Sequence, residues 1–163
     1  PKFTIHFNTL ESHRAIAEAI QQMWKEELGI EVTLENQEWK VYLDTQNSMN
    51  YDISRSAWIG DFMDPVTFLS MWTTGNGNNN THWSNPKYDA LIDQAARTGD
   101  PQARLEVLRQ AEDIFLSEAP VVIIYWYTNA YLLQPSVQNW YPLVLGNHNY
   151  KYIDLKDEFE ATK

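Results

Sequence analysis

The sequence predicts an α/β fold, and three observations carry that expectation. Up to Trp58, segments with apolar residues at every second position alternate with segments at helical spacing, in the order β-α-β-α-β. Further on, Asp64-Pro65, Asn85-Pro86 and Asp100-Pro101 each place a capping residue before a proline suited to the first helical position. Val121-Val122-Ile123-Ile124-Tyr125-Trp126-Tyr127 is apolar on both faces, as a central strand should be. Strands alternating with helices of this length imply parallel pairing through right-handed crossovers. Ligands on such sheets bind beyond the carboxyl ends of the strands.

Phe3, Ile5 and Phe7 alternate with Thr4 and His6, which predicts a half-buried first strand. From Ser12, read as an N-cap, Ile16, Ile20, Met23, Trp24 and Leu28 recur at helical spacing until Gly29 supplies a stop. Ile30, Val32 and Leu34 predict a second strand. Trp39, Tyr42 and Leu43 share one face of a shorter helix, and Tyr51 to Trp58 reads as a third strand, with Trp58-Ile59-Gly60-Asp61 at its carboxyl end. Asp64-Pro65 opens a short helix through Val66, Phe68, Leu69 and Trp72. Thr73 to Asn85, rich in Gly and Asn, is expected to be an exposed loop. Two helices follow, one through Leu91, Ile92 and Ala95, the other through Leu105, Leu108, Ile114 and Phe115, ended by Ala119-Pro120. Beyond Asn129, Tyr131 to Leu133 form a candidate strand, Gln134 to Tyr152 carry little periodicity, and Asp154 to Lys163 form a charged tail. Trp140, Tyr141, Leu143, Tyr150 and Tyr152 offer apolar surface that no local pattern would bury, so this final stretch is expected to pack on something outside the sequence.

Composition narrows the function. A length of 163 residues supports one domain with a sizeable core. The formal net charge of −10 repels phosphate backbones and anionic membranes, so no nucleic-acid partner is expected. No apolar run approaches the roughly 18 residues that span a bilayer. The chain has no cysteine, which removes thiolate metal sites and thiol nucleophiles. It opens at Pro1-Lys2-Phe3 without a signal-peptide pattern, as a mature product or a piece of a longer protein would. His6, His13, His82 and His148 are scattered without ligand spacing, and neither a Gly-x-Ser-x-Gly elbow nor a phosphate-binding glycine loop occurs, so neither a metal nor a cofactor is expected. Aromatic residues make up 13% of the chain, enough to line a ligand site as well as a core.

Two acids stand three positions apart, Asp61 and Asp64. Asp64 is explained as the cap before Pro65. Asp61 follows a glycine at a strand end between Trp58 and Phe62, and two roles remain open for it: an anchor for a ligand ammonium group, or a turn aspartate bonding its own backbone. Arg55, inside a strand, wants a partner, with a structural ion pair favoured over a ligand carboxylate.

Asn36-Gln37-Glu38-Trp39-Lys40, the stretch from Ser54 to Pro65, and Tyr125-Trp126-Tyr127-Thr128-Asn129-Ala130-Tyr131-Leu132 together resemble the C-terminal part of the oligopeptide-binding proteins of ATP-driven importers, solute-binding protein family 5. The likeness runs in order over nearly the whole chain. It implies a periplasmic-binding-protein-like type II lobe, a mixed sheet with flanking helices that is incomplete without its partner lobe. Residues 1–128 would form part of the second ligand-binding lobe, and residues 129–163 a return segment packing on the missing first lobe. The implied function is that of an extracytoplasmic receptor, periplasmic or lipid-anchored at the outer face of the membrane. It would clamp an extended oligopeptide between two lobes and deliver it to a membrane permease, without enzymatic activity. On the family pattern Asp61 holds the peptide α-ammonium, Trp58 and Trp39 line side-chain pockets, Arg55 and His13 lie near the peptide's far end, and Tyr127 contacts ligand. The alternative function is a carbohydrate-binding or glycoside-hydrolysing module, which Trp, Tyr and acidic residues would also suit, although Asp61 lacks a second carboxylate across a cleft. A structural interaction domain, in which the exposed aromatics serve only to associate, is the third reading.

Overall fold

Alternation at Phe3, Ile5 and Phe7 produces strand β1 (Lys2–Asn8). The computed structural model describes residues 2–156. Helix α1 (Glu11–Leu28) follows, then β2 (Glu31–Gln37), α2 (Trp39–Asn47) and β3 (Ile53–Ser54). The three strands form a parallel sheet in the order β2-β1-β3, so both crossovers are helical and β1 is central. Ile5 and Phe7 on β1, Val32 on β2 and Ala17 on α1 form one apolar core, with Ile20, Trp24 and Leu34 packed against it. Gly29 takes the left-handed conformation at φ +65° and donates its N–H to the Trp24 carbonyl, turning the chain back into β2.

A second core lies under α3 (Val66–Leu69), α4 (Pro86–Arg97) and α5 (Pro101–Glu118). It is built from Leu69, Tyr88, Ile92, Ala95, Val107, Leu108, Ala111 and Phe115. Both long helices begin as the sequence predicts: the Asn85 side chain accepts from the N–H groups of Lys87 and Tyr88, and Asp100 from that of Ala103. A single 3₁₀ turn (Ser70–Trp72) extends α3. The Tyr51 hydroxyl donates to the Asn80 carbonyl and the Asn80 amide to Asn47 at 3.4 Å, tying the sheet unit to the helical unit.

Several expectations are corrected. Ser12 is not the N-cap; that position is Leu10, two residues earlier, with Glu11 in the first turn where a carboxylate suits the helix dipole. The third strand is two residues long rather than Tyr51 to Trp58. Its ladder stops because the Arg55 carbonyl is taken by the Tyr42 hydroxyl and, at 3.3 Å, by the Gln46 amide. The loop from Thr73 to Asn85 is not simply exposed. Asn79 is buried, and its amide donates to the carbonyls of Trp72, Thr73 and Trp83 while its oxygen accepts from Thr81, so one side chain closes the loop.

The largest departure concerns Val121 to Tyr127, which forms no strand and leaves Ile124 57% and Trp126 73% exposed. A central strand needs hydrogen-bonding neighbours on both sides, and no described strand lies beside this one. Tyr131 to Leu133 are likewise irregular. In place of a featureless ending, β4 (Val137–Gln138) and β5 (Asp154–Leu155) pair antiparallel, and Trp140 stacks near Tyr131 and His148 at 4.7 and 4.9 Å. The charged tail from residue 157 onward lies outside the described residues.

Candidate ligand-binding face

The carboxyl ends of the three parallel strands meet the start of α2 and the irregular segment after β3. Trp39 opens α2, where the Glu38 carboxylate accepts the Lys40 N–H at 2.9 Å as a cap. Its ring is 55% exposed and stacks on Tyr42, one turn later, at 5.7 Å. Tyr42 is buried, and Gln46 another turn on donates to the Ser54 hydroxyl at 2.9 Å. Successive turns of α2 therefore present an exposed ring, a hydroxyl and an amide, the last two gripping the end of β3.

Arg55 emerges from that grip. Its backbone N–H donates to the His6 carbonyl at 2.8 Å, continuing the β1–β3 pairing by one bond. Its guanidinium donates to the Tyr127 hydroxyl and lies 6.0 Å from the centre of that ring. No carboxylate pairs with it among the described residues. The structural ion pair favoured from position alone is therefore replaced by a phenol. A hydrogen bond with Tyr125, whose ring sits 5.0 Å away, is the main cause that raises the Tyr127 phenol above its ordinary range.

His13 is buried at the start of α1, and its pKa is lowered, first by loss of hydration and then by the positive charge of Arg55. The unfolded chain protonates this imidazole more readily than the folded one, so its contribution to stability is present above about pH 6.5 and lost as pH falls below it. Replacing Arg55 with Gln removes the like charge and should raise the His13 pKa in an NMR titration of the ring. An unchanged or lower value would contradict the proximity of the two groups.

At the other end of the segment, Trp58 is half-buried and its indole N–H is enclosed without a hydrogen-bond acceptor. Gly60 passes so close to α3 that a Cβ would lie 3.1 Å from the Phe68 ring and 3.1 Å from the Thr67 methyl. Asp61 donates its backbone N–H to the Thr67 hydroxyl at 2.9 Å, and its exposed carboxylate forms no ion pair among the described residues. Asp64 contrasts with it. Its carboxylate accepts two bonds from Arg104 on α5, at 2.7 and 2.9 Å, and caps the Val66 N–H. The Arg104 bonds hold its pKa below the usual carboxylate range. The cap was legible in sequence; the arginine, 40 positions away, was not.

Trp126 packs edge-on against Phe68 at 6.3 Å while Tyr127 meets Arg55, so adjacent residues of one irregular segment touch Arg55 and the α3 ring that lies against Gly60. Arg55, His13 and Tyr127 are thus brought together, and Trp39 joins them through Tyr42 and the Arg55 carbonyl. Trp58 and Asp61 occupy the far end. Arg55 and Asp61 are six positions apart in the chain, which limits their backbone separation to about 20 Å.

Among the described residues, Asn8 Oδ1, His13 Nδ1, Gln37 Oε1 and the Trp58 indole nitrogen are buried without hydrogen-bond partners, and His6 Nδ1 has only the Glu35 carboxylate at 3.8 Å. Such atoms are rare in folded proteins, and Asn8 and Gln37 are register partners at the ends of β1 and β2. Sequence reasoning passed over both. The available signal was an amide closing each alternating strand at its carboxyl end. A cavity of about 590 Å³ lies elsewhere, beside Asn47, Asn76 and Trp83, but Asn76 and Asn79 spend their side chains holding the loop that forms it.

Among the described residues the arrangement offers a carboxylate without a basic partner and a cation without a carboxylate, at opposite ends of a short segment flanked by aromatic rings. Residues 1–80 match the family described as bacterial extracellular solute-binding proteins, family 5 middle. The chain belongs to this family. It is 44% identical to the oligopeptide-binding protein OppA of Bacillus subtilis over 81% of this chain and 24% of that protein. It is 41% identical to the periplasmic murein peptide-binding protein MppA of Escherichia coli over 87% of this chain and 26% of that protein. The crystal structure of Haemophilus influenzae OppA in complex with the peptide RPPGFSPFR superposes with a TM-score of 0.85, at 30% identity, over 94% of this chain and 31% of that one. This family 5 chain therefore spans about a quarter of the length of the curated relatives it matches. Its fold is part of a type II periplasmic-binding-protein lobe.

Proposed function

We propose that this chain is the ligand-binding part of the second lobe of an extracytoplasmic oligopeptide receptor that serves an ATP-driven importer. The peptide lies extended between two lobes, its α-ammonium on Asp61 and its carboxylate towards Arg55 and His13. Trp39 and Trp58 line pockets for its side chains, and Tyr127 holds the Arg55 guanidinium. The observation that carries this reading is the contrast between two neighbouring acids. Asp64 is consumed by Arg104, whereas Asp61 has no basic partner among the described residues. At an effective dielectric near 20, an ammonium 4 Å from a carboxylate gains about 4 kcal/mol before desolvation is counted, so one such contact anchors a small ligand. His13, held neutral at pH 7 by burial and Arg55, meets a carboxylate as a hydrogen-bond donor rather than as a second charge.

Binding through the main chain and termini, with hydrated aromatic pockets, tolerates varied side chains. Relatives named for peptide ligands favour this over the carbohydrate reading. The protein acts by binding and not by catalysis. The exposed stretch from Val122 to Leu133 and the β4–β5 ribbon return to the first lobe, which supplies the opposite wall of the cleft. Closure of the two lobes presents a docking surface to the permease, at the periplasmic or outer face of the cell membrane, with or without a lipid anchor.

Titration calorimetry with tri- to pentapeptides tests the split site. The two-lobed receptor should bind them at least about 100-fold more tightly than this chain alone, because the isolated lobe lacks half the contacts and the preorganised clamp. Equal affinity for both would overturn it.

A further inference from the structure

Thr67 sits on the four-residue helix α3, outside every motif that the sequence analysis singled out, yet it is 4% exposed with its hydroxyl turned towards Asp61. That oxygen accepts the Asp61 backbone N–H at 2.9 Å and lies 3.5 Å from Asp61 Oδ2, to which the hydroxyl hydrogen donates. One buried hydroxyl therefore fixes the main chain of this residue with a short bond and steers its carboxylate with a long one. Its methyl group and the Phe68 ring lie so close to Gly60 that a Cβ there would have to push them back, so the backbone entering Asp61 is closely packed as well. The helix that carries Thr67 is itself fixed. Asp64 caps it, the Arg104 ion pair ties that cap to α5, and the Tyr88 hydroxyl donates to the Leu69 carbonyl at 2.5 Å.

We propose that Thr67 is the positioning residue for the ammonium-binding carboxylate, holding Asp61 so that Oδ1 is left to receive the ligand. This rests on the role proposed for Asp61 and adds how that role is made specific. An exposed aspartate free to rotate would lose side-chain entropy on binding and would serve any nearby donor. One carboxylate oxygen held by a buried hydroxyl leaves the other preorganised for a single cation.

The test uses the full-length receptor, with titration calorimetry of a free-amine tripeptide and of its N-acetylated counterpart. Thr67→Val keeps the shape and removes the hydroxyl. It should weaken the free-amine peptide about tenfold and the acetylated one less than twofold, and Thr67→Ser should restore native affinity. Should Thr67→Val fold poorly, Thr67→Ala supplies a second hydroxyl-free variant, scored by the same ratio between the two peptides. A general loss of packing would weaken both peptides alike, and that outcome overturns the proposal. If Asp61→Asn discriminates the peptides and neither hydroxyl-free variant does, the positioning role alone falls. If Asp61→Asn does not discriminate them either, the ammonium site falls and Thr67's role falls with it.

Discussion

Asp61→Asn in the full-length receptor should weaken binding of free-amine peptides by about 30-fold to several thousandfold, the range expected when one partner of a desolvated, hydrogen-bonded charge pair is truncated. N-acetylated peptides carry no ammonium and should change little. Asparagine keeps the size and the backbone N–H that bonds Thr67, so the loop geometry survives and the lost charge is isolated. Asp64→Asn is the control. It breaks the bidentate pair with Arg104 and should lower thermal stability, and because that pair steadies the helix carrying Thr67 it should also shift the ratio between free and acetylated peptides, though far less than Asp61→Asn does. Equal weakening of both peptides by Asp61→Asn would remove the anchor.

Tyr88→Ala should cost about 3–5 kcal/mol of folding stability, read as a fall in the midpoint of urea denaturation. Tyr88 is fully buried among Leu69, Ile92, Leu108 and Phe115 and meets the Trp83 ring edge-on at 4.9 Å, so truncation removes a ring from the centre of the packed unit. Against a total of about 5–15 kcal/mol for a domain, that loss is a large fraction. Tyr88→Phe separates the hydroxyl from the ring. It strands the Leu69 carbonyl and should cost about 1–3 kcal/mol. Since that carbonyl belongs to α3, Tyr88→Phe should also loosen the helix that carries Thr67. A Tyr88→Ala variant as stable as the native chain would show that the helical unit is not organised around this ring.

How far the site could be read from the chain depends on the range of the interaction concerned. Asp64, Asn85 and Asp100 cap helices through N–H groups two or three residues away, so spacing alone reveals them. Gly29 and the alternation in β1 are legible for the same reason. Asp61 was singled out by its neighbours, Gly60 and Trp58, while the residue that holds it was not, because a threonine in a helix reads as an ordinary core or surface position. Arg55 was read as wanting an ion pair, and its contact is a phenol 72 positions later. Asn8 and Gln37, at the polar ends of β1 and β2, carry no local signal of a role, and only the strand register sets them side by side.

By itself the sequence determined the order of helices and strands in the sheet unit, the start of every long helix but α1, the acidic and cysteine-free character of the chain, and the pairing of a carboxylate with flanking aromatics. All of these are set by neighbours within a few residues and by summed charge. Only the tertiary structure decided that β3 stops after two residues, that one of two nearby acids is neutralised and the other left free, and that Val121 to Tyr127 stays unpaired despite an apolar run suited to a sheet centre. Each of those outcomes depends on a hydrogen-bond or ion-pair partner from a distant part of the chain, present for Asp64 and Arg55 and absent among the described residues for the seven-residue run. Local pattern sets what a segment can become, and the groups that folding brings beside it set what it is.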